Sequence, residues 1–202
     1  VEKAMRMMDD IIDLELEKVE LIINKIAADP EDEDIRRVEM ELWKKIRTMA
    51  RKGRRTGLGI TAEGDMLAAL GLRYGTPEAT AFAVKVQKTL ALEAYRASVK
   101  MAAERGAFEI FDARKEEKNP MIGRIREADP ELYAEMVKHG RRNIAMLTIA
   151  PTGTTSLMSQ TTSGIEPVFR PVYKRRRKIN PSDQDAKVAF VDDMGEKFEE
   201  YN

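Results

Sequence analysis

The chain has 202 residues, 43% of them apolar, and its 35 basic and 35 acidic side chains cancel to a formal net charge of zero. That length and composition support one sizeable domain or two small ones, expected to be soluble, and the absent net field excludes bulk attraction to nucleic acid or an anionic membrane. There is no cysteine, which excludes disulfides, thiolate metal sites and thiol chemistry from this chain's own residues. No apolar run approaches the roughly 18 residues of a membrane span, and no secretory pattern opens the chain, so a cytoplasmic location is expected.

The first segment, VEKAMRMMDDIIDLELEKVELIINKIA, is helical in pattern, with Met5, Met8, Ile12, Leu16, Val19, Ile23 and Ile26 at spacings of three and four. Val1 is not an initiator methionine, and the helical pattern is under way from the first residue. The chain is therefore expected to be a piece of a longer polypeptide. ADPEDED then offers Asp29 as an N-cap and Pro30 as first helical residue, and Ile35, Val38, Leu42, Ile46 and Met49 predict an apolar stripe running to a basic end at Lys52, Arg54 and Arg55. Gly57, Gly59 and Gly64 break the pattern, and a short helix is predicted from about Asp65 to Gly71.

Thr76 and Pro77 open the longest predicted helix, with Phe82, Ala83, Val86, Leu90, Ala94, Ala97 and Met101 on one face and Gly106 as its stop. FEIFDARKEEKNP is a polar connector, and ADPELYAEMVKHG starts a further short helix that ends at Gly140. Ile144 to Ile149 is predicted to be a buried strand closed by Pro151. Thr152 and Gly153 form a tight turn. Thr154, Thr155 and Ser156 then supply hydroxyls and unpaired N–H groups where a short helix begins at Ser156. A helix start behind a strand favours anions through its free donors and its dipole. Without the lysine of GxxxxGK[ST], backbone amides and hydroxyls would do the holding, although Thr and Ser at such a start also serve as plain caps.

RRTGLGITAEGDMLAALGLRYG, AAERGAF, IAPTGTTSL, SGIEPVF and YKRRRKINP, in that order, resemble the second half of the catalytic barrel in the large subunit of ribonucleotide reductases. The adenosylcobalamin-dependent class is the most similar, and the resemblance covers residues 1–202. It implies an α/β fold, here predominantly helical, that is a C-terminal-half fragment of a ten-stranded α/β barrel. The predicted layout is one fragment: 1–140 mainly helical, 141–180 strand, phosphate loop, short helix and strand, and 181–202 a polar tail with no further element.

In the family, a thiyl radical on a central finger loop abstracts hydrogen from the ribose 3′ carbon, a cysteine pair reduces the 2′ position, and a glutamate and an asparagine assist. None of those cysteines occurs in this chain, so the resemblance implies a piece that is inactive alone. The residues that match the loop gripping the substrate's 5′ phosphates are Pro151, Thr152, Gly153, Thr154, Thr155 and Ser156. The implied substrate is a ribonucleotide, favoured as the diphosphate. The implied cofactor of the parent enzyme is adenosylcobalamin, not located in these residues. Implied partners are the remainder of the barrel, a thioredoxin-like reductant and a second subunit in a homodimer, with no nucleic acid and no membrane.

Other conspicuous residues have plainer readings. His139, the one histidine, sits at a helix end where a cation suits the dipole. The KRRRK run, 174–178, is expected to be a solvated or inter-segment surface, because aromatic interleaving for base stacking is missing. Glu166 beside a proline is expected to be structural, and Asp9, Asp10, Asp13 and Glu17 to form a solvated face. Two other classes stay open: a stand-alone phosphate- or nucleotide-binding helical module, and a helical interaction domain whose first helix packs on a partner. An Asn-x-Cys-x-Glu motif upstream in the parent reading frame would separate the reductase from both.

Overall fold

Apolar residues at helical spacing bury one stripe of α1 (Glu2–Ala28), placing Met5, Ile12, Val19, Ile23 and Ile26 in the interior. The computed structural model describes residues 1–183 and 185–201. An antiparallel partner follows, α2 (Glu33–Gly53), then α3 (Glu63–Ala69) and the long α4 (Pro77–Arg105). Thr76 caps α4 by accepting from Ala79 N, Pro77 occupies its first turn, and Gly106 closes it at φ 88°. The predicted cap residues are the ones used.

The second helix differs from expectation at its start. Pro30 holds Asp29 extended, and Asp29 instead ends α1. Asp32 takes the N-cap role by accepting from Asp34 N at 2.9 Å. Its apolar stripe also differs: Ile35, Val38, Leu42 and Met49 are all more than half exposed. Helical spacing made a face, but among the described residues no element packs over it.

The polar connector predicted over 108–120 is not continuous. It contains α5 (Ala113–Glu116) and leads into α6 (Pro120–Ala128), capped by Asn119, and then α7 (Pro130–His139), capped by Asp129. The α6 helix was not anticipated; its cap, an asparagine before proline, is the same device as Asp129–Pro130. Ile122 and Ile125 from α6, Leu132 and Met136 from α7, and Ala94, Ala97 and Met101 from α4 form one core with Met5.

The 144–149 segment departs from a regular strand. It runs beside 53–58 with one parallel bridge, Leu58 to Leu147. Thr56 N donates to Ala145 O at 2.9 Å, while Leu58 N donates to Met146 O at 2.7 Å and Thr148 N returns to Leu58 O at 3.0 Å. Donors two residues apart thus use acceptors one residue apart. That slip breaks the even spacing of a parallel ladder. The segment is fixed instead by Met146, which is 2% exposed in the core; burial of such a side chain contributes about 1.5–3 kcal/mol.

Beyond α8 (Gly153–Ser159), β1 (Arg175–Lys178) lies within 141–180, and the predicted polar tail of 181–202 adds β2 (Phe190–Val191) and β3 (Lys197–Tyr201) to make a sheet in the order β1-β3-β2. All pairings are antiparallel. Opposite charges across the strands supply the signal that an apolar pattern lacked: Arg176 meets Glu200 at 2.7 Å and Arg177 meets Glu199 at 2.6 Å. The basic run is therefore largely matched within the chain, as a surface between segments. Sheet among the described residues is confined to this ribbon and the single bridge.

Candidate functional site: the loop 151–156 and its supports

The loop is delivered by a chain whose preceding residues are locked. Asn143 is fully buried, and its amide nitrogen donates to Asp9 Oδ1 at 3.1 Å and to Arg54 O at 3.0 Å. Ser98 Oγ donates to Asn143 Oδ1 at 2.9 Å and accepts from Asn143 N at 3.0 Å. Every polar atom of this side chain is used, as burial requires.

Asp9 corrects the expected solvated acidic face. It is fully buried, while Asp10 and Asp13 beside it are exposed. Arg54 bonds it at 2.8 Å, Arg142 at 3.2 Å and Arg105 at 3.4 Å. Arg54 also reaches Asp13 at 2.7 Å, and Arg105 reaches Asp10 at 2.7 Å. The three carboxylates come close enough to suggest a cation site, but three guanidinium groups already neutralise them. Burial would push the Asp9 carboxyl up; hydrogen bonds and charge from Arg54 and then Arg142 outweigh it and hold Asp9 below the usual carboxylate range.

Arg141, 2% exposed, forms a second anchor. It pairs with Glu116 through both guanidinium nitrogens and lies 5.5–5.8 Å from the ring centres of Tyr95, Phe108 and Phe111. Burial raises the Tyr95 phenol above its ordinary value, against the opposing Arg141 charge. Residues 141–143 therefore pin the chain immediately before the extended segment.

The helix at the loop begins earlier than predicted, at Gly153, with Thr152 as N-cap. This changes which donors face outward. Ser156 N donates to Thr152 O at 2.8 Å, Ser156 Oγ donates to Gly153 O at 2.8 Å, and the residue is 7% exposed. Ser156 is thus an internal brace. The Thr152 hydroxyl donates to Ser163 O and stands 3.3 Å from Thr61 Oγ1, so its single proton is committed within the protein. Among the described residues the amides of Gly153, Thr154 and Thr155 have no partner, and Pro151, Gly153, Thr154 and Thr155 are exposed. Three amides and two hydroxyls remain as outward donors.

A Cβ at Gly153 would meet no atom within 4 Å. The glycine keeps the mouth of the loop open. At Gly59 the reverse holds, since a Cβ would collide with Thr148 O, and at Gly64 it would lie 2.6 Å from Pro167 Cα. These two glycines allow close backbone approach between 57–64 and the segments flanking the loop.

Sequence reasoning missed Thr61, Asp65 and Thr162. Thr61 Oγ1 donates to Thr162 O at 2.7 Å, and Thr162 N donates to Asp65 Oδ2 at 2.8 Å. A cavity of about 570 Å³ adjoins them, lined by Asp65, Ser156, Thr162, Glu166, Arg170 and Tyr173 among others. The turn-forming cluster TAEGD held a signal, but its partner lies about a hundred residues away. Glu166 is exposed, its carboxylate folded against Gly164. His139 lies 3.3 Å from Glu135 one turn back on α7, away from the loop.

Comparison with known proteins places the chain in a family. The family described as ribonucleotide reductase, barrel domain, matches residues 1–196. The chain belongs to that family. It is 36% identical over 127 residues to a vitamin B12-dependent ribonucleoside-diphosphate reductase of Mycobacterium tuberculosis, covering 62% of this chain and 16% of the relative. It is 33% identical over 142 residues to the protein of the same name from Thermoplasma acidophilum, covering 70% of this chain and 16% of the relative. A ribonucleoside-diphosphate reductase subunit alpha of Treponema pallidum is 30% identical over 134 residues, 62% of this chain and 15% of the relative. The matched part is thus about one sixth of the relatives' length.

Proposed function

We propose that this chain is part of the catalytic barrel of a ribonucleotide reductase, and that its 151–156 loop holds the 5′ phosphates of a ribonucleoside diphosphate during reduction to the deoxyribonucleotide. The observation that carries the reading is the row of unpartnered amides at Gly153, Thr154 and Thr155, beside the hydroxyls of Thr154 and Thr155. Such donors suit a dianionic group without a lysine. Pro151 ends the extended segment, Thr152 is the N-cap whose hydroxyl ties the loop to Ser163, and Ser156 braces the first turn.

With no cysteine, the chain contributes binding and orientation, and the thiyl and reducing thiols come from the rest of the polypeptide. Fixing the phosphates orients the ribose towards that chemistry; positioning of this kind is worth up to about 7–11 kcal/mol of barrier. The ten-stranded barrel is completed by further chain, which agrees with the exposed faces of Met158, Phe169 and the α2 stripe. The parent enzyme uses adenosylcobalamin, supported by the names of the M. tuberculosis and T. acidophilum relatives. The one histidine, His139, lies at the end of α7 beside Glu135, and no residue of the 151–156 loop is assigned to the cofactor. A thioredoxin-like reductant and a homodimer complete the reading, in the cytoplasm; no helix among the described residues is long and apolar enough to cross a membrane.

In the full-length reductase, Gly153→Val places a branched side chain in the open mouth of the loop. The KM for a ribonucleoside diphosphate should rise at least tenfold, and an unchanged KM would remove the loop from the substrate site.

A further inference from the structure

The donors of the 153–155 turn are useful only if the turn is held at a fixed place, yet α8 is a single short helix with exposed Leu157 and Met158. Its N-terminal side hangs on the extended segment. Its C-terminal side turns sharply at Gln160, which sits in the left-handed region at φ 56°, and runs into Thr161 and Thr162. What catches it there is the loop before α3 together with the first turn of α3.

The loop residue Thr61 and the α3 residue Asp65 grip Thr162 on both sides of its main chain. Thr61 donates to the carbonyl at 2.7 Å and the Asp65 carboxylate accepts from the amide at 2.8 Å. Glu63 N adds a bond to Gly164 O at 3.2 Å, and the Thr152 hydroxyl closes the ring between Thr61 and Ser163. Two features show that the grip dominates local preferences. Ala62, between Thr61 and Glu63, is forced to φ 62°, a conformation that disfavours an alanine and persists only where its surroundings impose it. The Thr162 hydroxyl is buried with no hydrogen-bond partner, the single such side-chain atom among the described residues. Thr162 is placed by its backbone, at the expense of its own hydroxyl.

We infer that Asp65, aided by Thr61, is a positioning residue for substrate binding: it clasps Thr162 and so fixes both ends of the α8 turn, from Thr152 to Ser163, in the arrangement that presents the amides of 153–155 to phosphate. This rests on the phosphate-binding reading of the loop. Asp65 does not touch the substrate. Without the clasp, the return segment loses its anchor and the donors lose their fixed direction.

The test uses the full-length reductase, with equilibrium binding of a ribonucleoside diphosphate and steady-state kinetics. Asp65→Ala should raise Kd and KM tenfold or more, equivalent to about 1.4 kcal/mol, while kcat changes less than threefold. Asp65→Asn keeps an oxygen that accepts from Thr162 N, and should restore both constants to within threefold of wild type. If Asp65→Ala binds normally while Gly153→Val has lost affinity, the clasp is overturned and the loop reading stands; if both bind normally, the loop reading fails with it. An Asn variant as weak as the Ala variant overturns the hydrogen-bond account. Should Asp65→Ala not fold, Thr61→Val must raise Kd at least threefold in a folded protein, and an unchanged Kd rejects the inference.

Discussion

Asn143 reaches across 134 positions of sequence to donate a 3.1 Å hydrogen bond to Asp9, at the point where α1, the end of α2 and the segment leading to the candidate loop converge. Asp9 is the hub of that junction. Arg54 leaves α2 in the left-handed region, at φ 44°, to place its guanidinium on Asp9 and Asp13. Asp9→Ala takes one of two carboxylates from the 6%-exposed Arg54, leaving it Asp13, and removes an acceptor from Asn143. Breaking a buried pair from one side costs about 3–5 kcal/mol, so the Tm should fall by roughly 6–20 °C on the scale of about 2–4 °C per kcal/mol for chains of this size. Differential scanning calorimetry decides it; a change under 2 °C would show that the arginines find other partners.

The same junction sets an acid limit. The folded Asp9 carboxyl lies below its ordinary value, so the unfolded state binds the proton more readily. Its contribution is fully present above the unfolded carboxylate pKa of about 3.9 and is lost as pH falls through the lower folded value. Thermal scans from pH 6 to pH 2.5 should show a steeper loss of stability below about pH 4 than scans of Asp9→Asn. Parallel curves would deny Asp9 this role.

Glycines near the loop should respond oppositely to a single methyl. Gly59→Ala drives a Cβ into Thr148 O across the one parallel bridge, an overpacking of about 1–3 kcal/mol. Gly153→Ala meets nothing and should stay within about 0.5 kcal/mol of wild type. Urea melts of the two variants give the comparison, and equal destabilisation would contradict the backbone approach described for Gly59.

Apolar exposure should govern the behaviour of the isolated chain. Ile35, Val38, Leu42 and Met49 on α2, and Met7, Ile11, Leu14 and Leu21 on α1, present two uncovered stripes. Surfaces of this kind promote association. Sedimentation velocity should show species heavier than the 22.9 kDa monomer, reduced in Val38→Lys/Leu42→Lys. A wild-type chain that remains monomeric at high concentration would count against exposed association faces.

Caps and stops were legible because their chemistry is complete within three or four residues. Thr76 with Pro77, Asp129 with Pro130, and the glycines at 106 and 140 act where the sequence places them. The ADPEDED start misled because two aspartates competed for one cap: Asp29 closes α1 through its N–H on Ile26 O and accepts from Glu31 N, while Asp32 accepts from Asp34 N where α2 begins. The two strands of the predicted polar tail escaped notice because the ribbon is specified by pairing across 22 and 24 positions, not by alternation of apolar residues.

The loop divides in the same way. Sequence alone determined that a proline, a glycine and hydroxyl residues would start a helix behind an extended apolar segment, since those preferences are local. Tertiary structure decided that Ser156 turns inward, that Thr152 is consumed by Ser163, and that the outward donors are the amides of 153–155. It also decided that Asp9 is buried and that Asp65 holds Thr162. A hydroxyl or carboxylate has the same intrinsic chemistry in either setting; which partner satisfies it depends on segments brought together by the common core.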